Sequence, residues 1–523
     1  MKRRKFLRTA GLATAITPFA YKGISINPVT NTSILAKLGA LGSFTDKIMV
    51  FIELNGGNDG LNTLIPTDQY SNLSIHRPQV LIPENQVLSL SGISGTGLHP
   101  AMTELKQLFD NGMVSVVQNV GYPDQNYSHF RSADIWASAA DSDESLDTGW
   151  LGRMLEIEHP GYPTGYPNPD TPDPLAINLG SVSPLSFMGS GFPMGISIGN
   201  PEDVYNLIND FVEPAPNTPY GDELTYIRKV MQYTKVYFDV IKDAASIGQN
   251  LSSLYPAEGV NRLADQLSIV ARLINGGLST SVYQVSINGF DTHSAQVEMG
   301  DHTQGAHANL LGMISEAIFA FMDDINLMGK SDKVCGMTFS EFGRTIGSNL
   351  SFGTDHGAAA PLFVFGKGVN PGIIGNNPII PQNLNISADV DMQHDFRSVY
   401  ASVIQDWFGL GTGTEVLNDS FPILPIFKGV SGTKESPGRN AFEVGNFPNP
   451  VHTTSTIQFT IPAAQITLTL LDAQGRAIRT IAEGNYPAGA HKVTFERNGL
   501  PAGNYYYLLK VNGLGVTRKL LIL

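Results

Sequence analysis

Five near-continuous apolar runs constrain this chain most: KIMVFIEL, VSVVQNVG, SVYQVSING, KVCGMTFS and PLFVFGKG. None shows the in-out alternation of a strand with one wet face. Segments of helical spacing lie between and after them, including AMTELKQLFDNG, the stretch from Glu223 to Asn275, NLLGMISEAIFAFMDDI and FRSVYASVIQDWFG. Strands that are apolar throughout and alternate with helices predict an α/β domain, its mostly parallel sheet covered by helices. Such sheets bind ligands beyond the carboxyl ends of their strands, so the polar residues there are the ones to inspect.

Those residues follow a pattern. KIMVFIEL runs into Asn58-Asp59. NYSHFRS, with Ser128 and Arg131, comes soon after VSVVQNVG. VYQVSINGF is followed by Asp291 and His293. VCGMTF leads to Glu341 and Arg344, then to Asp355-His356 in SFGTDHGAAAP, and DVDMQHDF holds His394. Carboxylates and imidazoles at strand ends are ligands for Zn, Ca, Mn or Mg. Each fragment also has a local reading. Asp59 suits a turn or helix cap, Asp291 and His293 a capping pair, Asp355-His356 a polar turn, and His394 a helix start. Tyr127, His129 and Arg131 around Ser128 suit anion handling, or Arg131 pairs with a carboxylate. Glu341 and Arg344 suit a buried ion pair or a substrate contact.

The chain has 523 residues, more than one core usually supports, and predicts at least two domains. Its formal charge of -14 and lack of a basic stripe argue against nucleic acid as a partner. The one cysteine, Cys335, cannot form a disulfide within the chain and sits in an apolar run as a core residue. Gly195-Ile-Ser197-Ile-Gly199 fits the G-x-S-x-G pattern, which needs a strand before the serine and a helix after it.

The two ends read as addresses. MKRRKFLRTAGLATAITPFA places Arg3-Arg4 before Phe6-Leu7 and a weakly apolar stretch, too short to span a membrane. It resembles a twin-arginine signal. Residues 1–41 are thus expected to be export signal and linker, and 42–428 the α/β domain. GVSGTKESPGRN makes 429–443 a linker, and the short alternating runs of 444–523 predict a small all-β sandwich. FPNP, LLDAQGR, LPAGNYYYLLK and the closing KLLIL resemble the type A C-terminal sorting domain of the type IX secretion system. That resemblance implies handling by the type IX machinery after a twin-arginine translocase. The protein would pass the periplasm and be secreted or attached to the surface of a Bacteroidetes-type cell.

VFIELNGGNDGLNTLIP, NYSHFRSADIW, GWLGRML, FDTHSAQ, FSEFGRT, GTDHG and HDFRSVYASVIQDWFG resemble, in this order, the secreted family called domain of unknown function 1501. That family looks like a branch of the alkaline phosphatase and sulfatase superfamily. The resemblance implies one divalent metal held by Asp59, Asp355 and His356, and a second held by Asp291, His293 and His394. Ser128 would be the nucleophile and Arg131 would bind non-bridging oxygens of a small anionic ester. With one residue between Asp291 and His293, His302 or His307 is an alternative partner of Asp291. The implied activity is hydrolysis of phosphate or sulfate esters with one or two metal ions. The alternative is a non-catalytic binding or scaffold protein on the same fold.

Overall fold

A computed structural model describes residues 46–199, 218, 235–428 and 444–522, apart from 386, 412, 448–450, 462, 472–476 and 512–513, and a strand pair at 19–21 and 24–26. The arginine pair of the expected export signal and the expected linker at 429–443 lie outside the described residues. The chain divides into two compact units, one ending at Lys428 and one beginning at Gly429.

The first unit is built on a nine-stranded sheet. Its strands are β1 (Ile48–Asn55), β2 (Val114–Gly121), β3 (Ala176–Leu179), β4 (Ile196–Ile198), β5 (Val282–Asn288), β6 (Val334–Phe339), β7 (Ala360–Gly366), β8 (Gly372–Ile374) and β9 (His394–Asp395). They lie in the order β8-β2-β7-β6-β1-β5-β3-β4, with β9 pairing β2. Every pairing is parallel except those of β7, which runs antiparallel to both β6 and β2. The reversal has a consequence for function. A segment preceding β7 emerges at the same end of the sheet as segments following its neighbours. GTDHG precedes β7 and therefore joins the loops after β1, β5 and β6.

The apolar runs are continuous because both faces of the sheet are covered. Val50 and Ile52 pack on one side with α1 (Thr103–Asp110), α4 (Arg262–Asn275) and α5 (Ala306–Leu327). Met49 and Phe51 face the other way, against α2 (His129–Ser138), α3 (Trp150–Glu158) and α6 (Phe396–Ser402). Each such residue, fully buried, contributes about 1.5–3 kcal/mol. Cys335 on β6 is part of this core, and burial pushes its thiol up to about 12, so it stays an unreactive apolar filler. Ser197 sits in the middle of β4, where its hydroxyl accepts from Asn178 Nδ2, and not at a strand-to-helix elbow. Among the described residues no helix is long and apolar enough to cross a membrane.

The paired strands of the second unit are all antiparallel. One sheet holds Val444–Phe447, Thr454–Ile461 and Gly489–Glu496. The other holds Ala477–Tyr486, Ala464–Leu471, Gly503–Val511 and Leu514–Ile522. Ile457, Phe459, Leu468, Leu470, Tyr507 and Leu509 share one buried core.

Candidate metal centre

Arg344 organises the sheet end where the polar residues gather. Its side chain is fully buried. It donates to the carbonyls of Gly56 and Gly57 after β1, of Phe290 after β5 and of Thr354 in the GTDHG loop. Its remaining contact is with Asp291 Oδ1, at 2.7 Å. One guanidinium thus ties three loops together. Of the two readings for Glu341 and Arg344, the ion pair between them is not formed. Glu341 Oε1 accepts instead from the Gly56 amide at 2.8 Å and faces His129 Nδ1 at 2.8 Å. Two glycines make the packing possible by close approach. A Cβ on Gly353 would lie 2.3 Å from the backbone carbonyl of His293, and one on Gly357 2.2 Å from the backbone of Arg344.

Around Asp291 stand three imidazoles, and each is held the same way. His129 turns Nδ1 to Glu341, His293 turns Nδ1 to Asp355 Oδ1 at 3.0 Å, and His356 turns Nδ1 to the Tyr127 carbonyl at 2.8 Å. All three partners are acceptors, so Nδ1 carries the proton in each neutral ring and Nε2 presents a lone pair. The three Nε2 atoms point at one carboxylate. His293 and His356 lie 3.2 and 3.3 Å from Asp291 Oδ1, and His129 lies 3.6 Å from Oδ2. His293 Nε2 and His356 Nε2 are only 2.9 Å apart. Two lone pairs at that distance repel unless a proton or a cation stands between them. Ligands about 2.0–2.1 Å from a tetrahedral zinc lie about 3.3 Å from one another, which is close to the mutual spacing of His293 Nε2, His356 Nε2 and Asp291 Oδ1. The ligand atoms of His129, Asp291 and His356 all fall within 4.8 Å of one another.

The carboxylates are kept ionised. Burial pushes both Asp291 and Asp355 up, but Arg344 beside Asp291 and His293 beside Asp355 outweigh it and hold both below the usual range. Burial holds His356 below the ordinary imidazole value, which keeps the ring neutral with its Nε2 lone pair free. The Asp291 side chain is 49% exposed, so the centre is open to a ligand.

The structure therefore brings together Asp291, His293, Asp355 and His356. Asp355 stands behind His293 as an orienting group of the kind that metal-bound histidines have. Asp59 takes a different place from the one expected beside Asp355 and His356. It is completely buried, and its Oδ2 receives Arg77 and the Gln296 amide. Burial raises its carboxyl, but Arg77 and Gln296 beside it hold it below the ordinary value. Gln296 Oε1 accepts from Thr354 Oγ1 at 2.7 Å, so Asp59 lies one layer beneath the cluster. His394 is also not drawn to Asp291. It pairs with Val120 across the sheet, and its buried Nε2 lies against Gly375. Neither alternative histidine meets Asp291: His307 Nε2 bonds Asn58 at 3.0 Å and His302 Nδ1 faces the Leu81 carbonyl at 3.0 Å.

Ser128 caps α2 at the rim of the cluster, exposed, with its hydroxyl free of any capping bond. Arg131 donates Nη2 to the carbonyls of Asp141, Ser142 and Glu144, so it fastens the following loop. Sequence reasoning gave His129 no ligand role. The available signal was its position, next to Ser128 in a loop that follows a buried strand. The Tyr127 carbonyl could not have been found, because a backbone acceptor leaves no trace in residue type.

Three comparisons bear on what this chain is. Residues 446–523 match the secretion system C-terminal sorting domain. The second unit is thus a type IX sorting domain, which marks the chain for export and for secretion or attachment at the cell surface. A protein in the alkaline phosphatase superfamily from Vibrio parahaemolyticus is 12% identical, with 82% of this chain and 77% of that one covered and a TM-score of 0.31. A sulfatase from Pseudoalteromonas sp. is 9% identical over 90% and 88% of the two chains, with a TM-score of 0.32. A phosphonate monoester hydrolase from Silicibacter pomeroyi is 9% identical over 90% and 88%, with a TM-score of 0.28. No curated protein matches. Residues 117–421, more than half of the chain, match the model of a protein family of unknown function, and the chain belongs to that family, DUF1501.

Proposed function

We propose that the protein is an exported, metal-dependent hydrolase of small phosphate or sulfate esters. The observation that carries this reading is the convergence of three Nε2 lone pairs on Asp291, with His293 and His356 2.9 Å apart. His129, His293, His356 and Asp291 would hold one divalent cation, Zn before Mn, Mg or Ca because imidazole dominates the donor set. Bound there, the cation supplies charge stabilisation at an ester oxygen. Glu341, Asp355 and the Tyr127 carbonyl fix the ring orientations. Ser128, one residue before His129, is the candidate nucleophile. The free amides in the first turn of α2 offer donors to the non-bridging oxygens, a role Arg131 leaves open while it bonds the 141–144 carbonyls. Arg3-Arg4 would take the chain to the periplasm through the twin-arginine translocase before type IX export. Its charge of -14 argues against nucleic acid as a partner.

The test is elemental analysis of the purified mature protein beside its His293→Ala and His356→Ala variants, with aryl phosphate and aryl sulfate as probes. The reading expects about one ion per chain, lost in both variants together with hydrolysis. Wild-type protein without bound metal after reconstitution overturns it. A second reading, a non-catalytic surface binding protein, is favoured by Asp59. The carboxylate expected at a first metal is tied to Arg77. Retained metal with no hydrolysis, and no effect of Ser128→Ala on surface function, would select that reading.

A further inference from the structure

A cavity of about 240 Å³ opens beside the later turns of α2. The helix lines it with Ala133, Asp134, Trp136 and Ala137, four to eight residues beyond His129, or about 6–12 Å along its axis. The cavity is smaller than most drug-sized ligand pockets, which run from about 300 Å³. Its walls are aromatic: Phe51, Trp136, Trp150, Phe339 and Tyr400. Trp150 and Tyr400 are stacked at 4.1 Å, so their rings form a fixed surface and not a collapsible one.

Two carboxylates line this space, Asp134 at its mouth and Glu53 further in. Glu53, near the end of β1, lies on the same face as Phe51 and opposite Phe339 on β6. It accepts a hydrogen bond from Gln284 Nε2, at 3.3 Å, and the other end of that amide accepts from Ser186 at 2.8 Å. Among the described residues no lysine or arginine lines the cavity. The polar and titratable groups around Glu53 are acidic or neutral: Gln284 from β5, Glu341 after β6, Tyr400 from α6, and Asp134 of α2 at the exposed mouth. Burial, with the nearby Glu341, pushes the Glu53 carboxyl up to about 7. A carboxylate in an apolar, cation-free pocket is short of a counter-charge.

We propose that this cavity binds a small organic cation, an alkylammonium group held between the aromatic rings and the Glu53 carboxylate. Ring faces attract a cation through their quadrupole, most strongly when it is desolvated. Glu53 supplies the full negative charge, and Asp134 at the mouth biases entry toward cations. The same groups repel phosphate and sulfate, so this is not a second anion site. The inference does not rest on the metal reading.

The test is calorimetric titration of the full mature protein with tetramethylammonium and choline chlorides, beside 3,3-dimethylbutanol, the neutral isostere of choline. Saturable binding of both cations is expected, with no binding of the isostere. Affinity should fall about tenfold from one pH unit above the Glu53 value to one unit below it, as the carboxylate takes up its proton. Glu53→Gln keeps the volume and should remove binding, and Asp134→Asn, at the surface, should weaken it. Absence of cation binding overturns the proposal. So does equal binding of the neutral isostere, or binding that neither pH nor Glu53→Gln changes. Loss of metal from the histidine cluster leaves these outcomes intact, so failure of one reading is distinguishable from failure of the other.

Discussion

His293 Nδ1 lies 3.0 Å from Asp355 Oδ1, while its Nε2 lies 3.2 Å from Asp291 Oδ1. One ring therefore separates two carboxylates with different roles. Asp291 sits where a ligand would, and Asp355 aims the ligand. Replacing such an orienting carboxylate typically weakens metal binding about 10–100-fold. Asp355→Asn should show a loss of that size in competition with a chelator, and Asp291→Ala should abolish binding. Equal losses from the two would contradict the division of roles.

Arg77 and Asp59 form an ion pair with both side chains completely buried. Removing one member of a buried pair leaves an uncompensated charge and costs about 3–5 kcal/mol. Arg77→Met should lower the urea midpoint accordingly. Arg77→Met with Asp59→Asn should recover part of the loss, since no buried charge then remains. A single variant as stable as wild type would mean that water reaches Asp59.

Acid should destabilise the fold through two histidines beneath the cluster. Burial holds His307 down to about 4 and His99 down to about 3, from an ordinary value of 6.5. Below 6.5 the unfolded chain takes up protons that the folded chain refuses. Their contribution is therefore complete above pH 6.5 and is lost as pH falls toward 4 for His307 and toward 3 for His99. The slope is on the order of 1.4 kcal/mol per pH unit for each ring. His307→Gln should flatten it, measured by urea unfolding across that window. An unchanged slope would remove His307 from the account.

The sorting domain predicts location independently of chemistry. A chain ended at Lys428 keeps the whole first unit and should be retained inside the cell envelope while binding metal as before. Arg3→Lys with Arg4→Lys should stop export earlier, leaving protein in the cytoplasm if the twin-arginine route is used. Fractionation with immunoblotting reads both. Secretion of the truncated chain at the wild-type level would contradict the role of the second unit.

The sequence by itself determined the sheet and the strand ends that carry polar chemistry. Runs such as VSVVQNVG have no wet face, and only a sheet covered on both sides buries them completely, as it does β2. Asp291, His293, Asp355 and His356 were legible because each follows or precedes such a run. The tertiary structure decided which of the candidates meet. β7 is reversed, which periodicity does not encode, and that reversal delivers GTDHG to the loops after β1 and β5. Asp59 was legible as a carboxylate but not as a neutralised one. Its partners Arg77 and Gln296 come from elsewhere in the chain, and a buried charge is governed by whichever partner reaches it. His129 joined the centre for the same reason. Its ring nitrogen is aimed by Glu341, 212 residues away, and only the packed fold sets that distance.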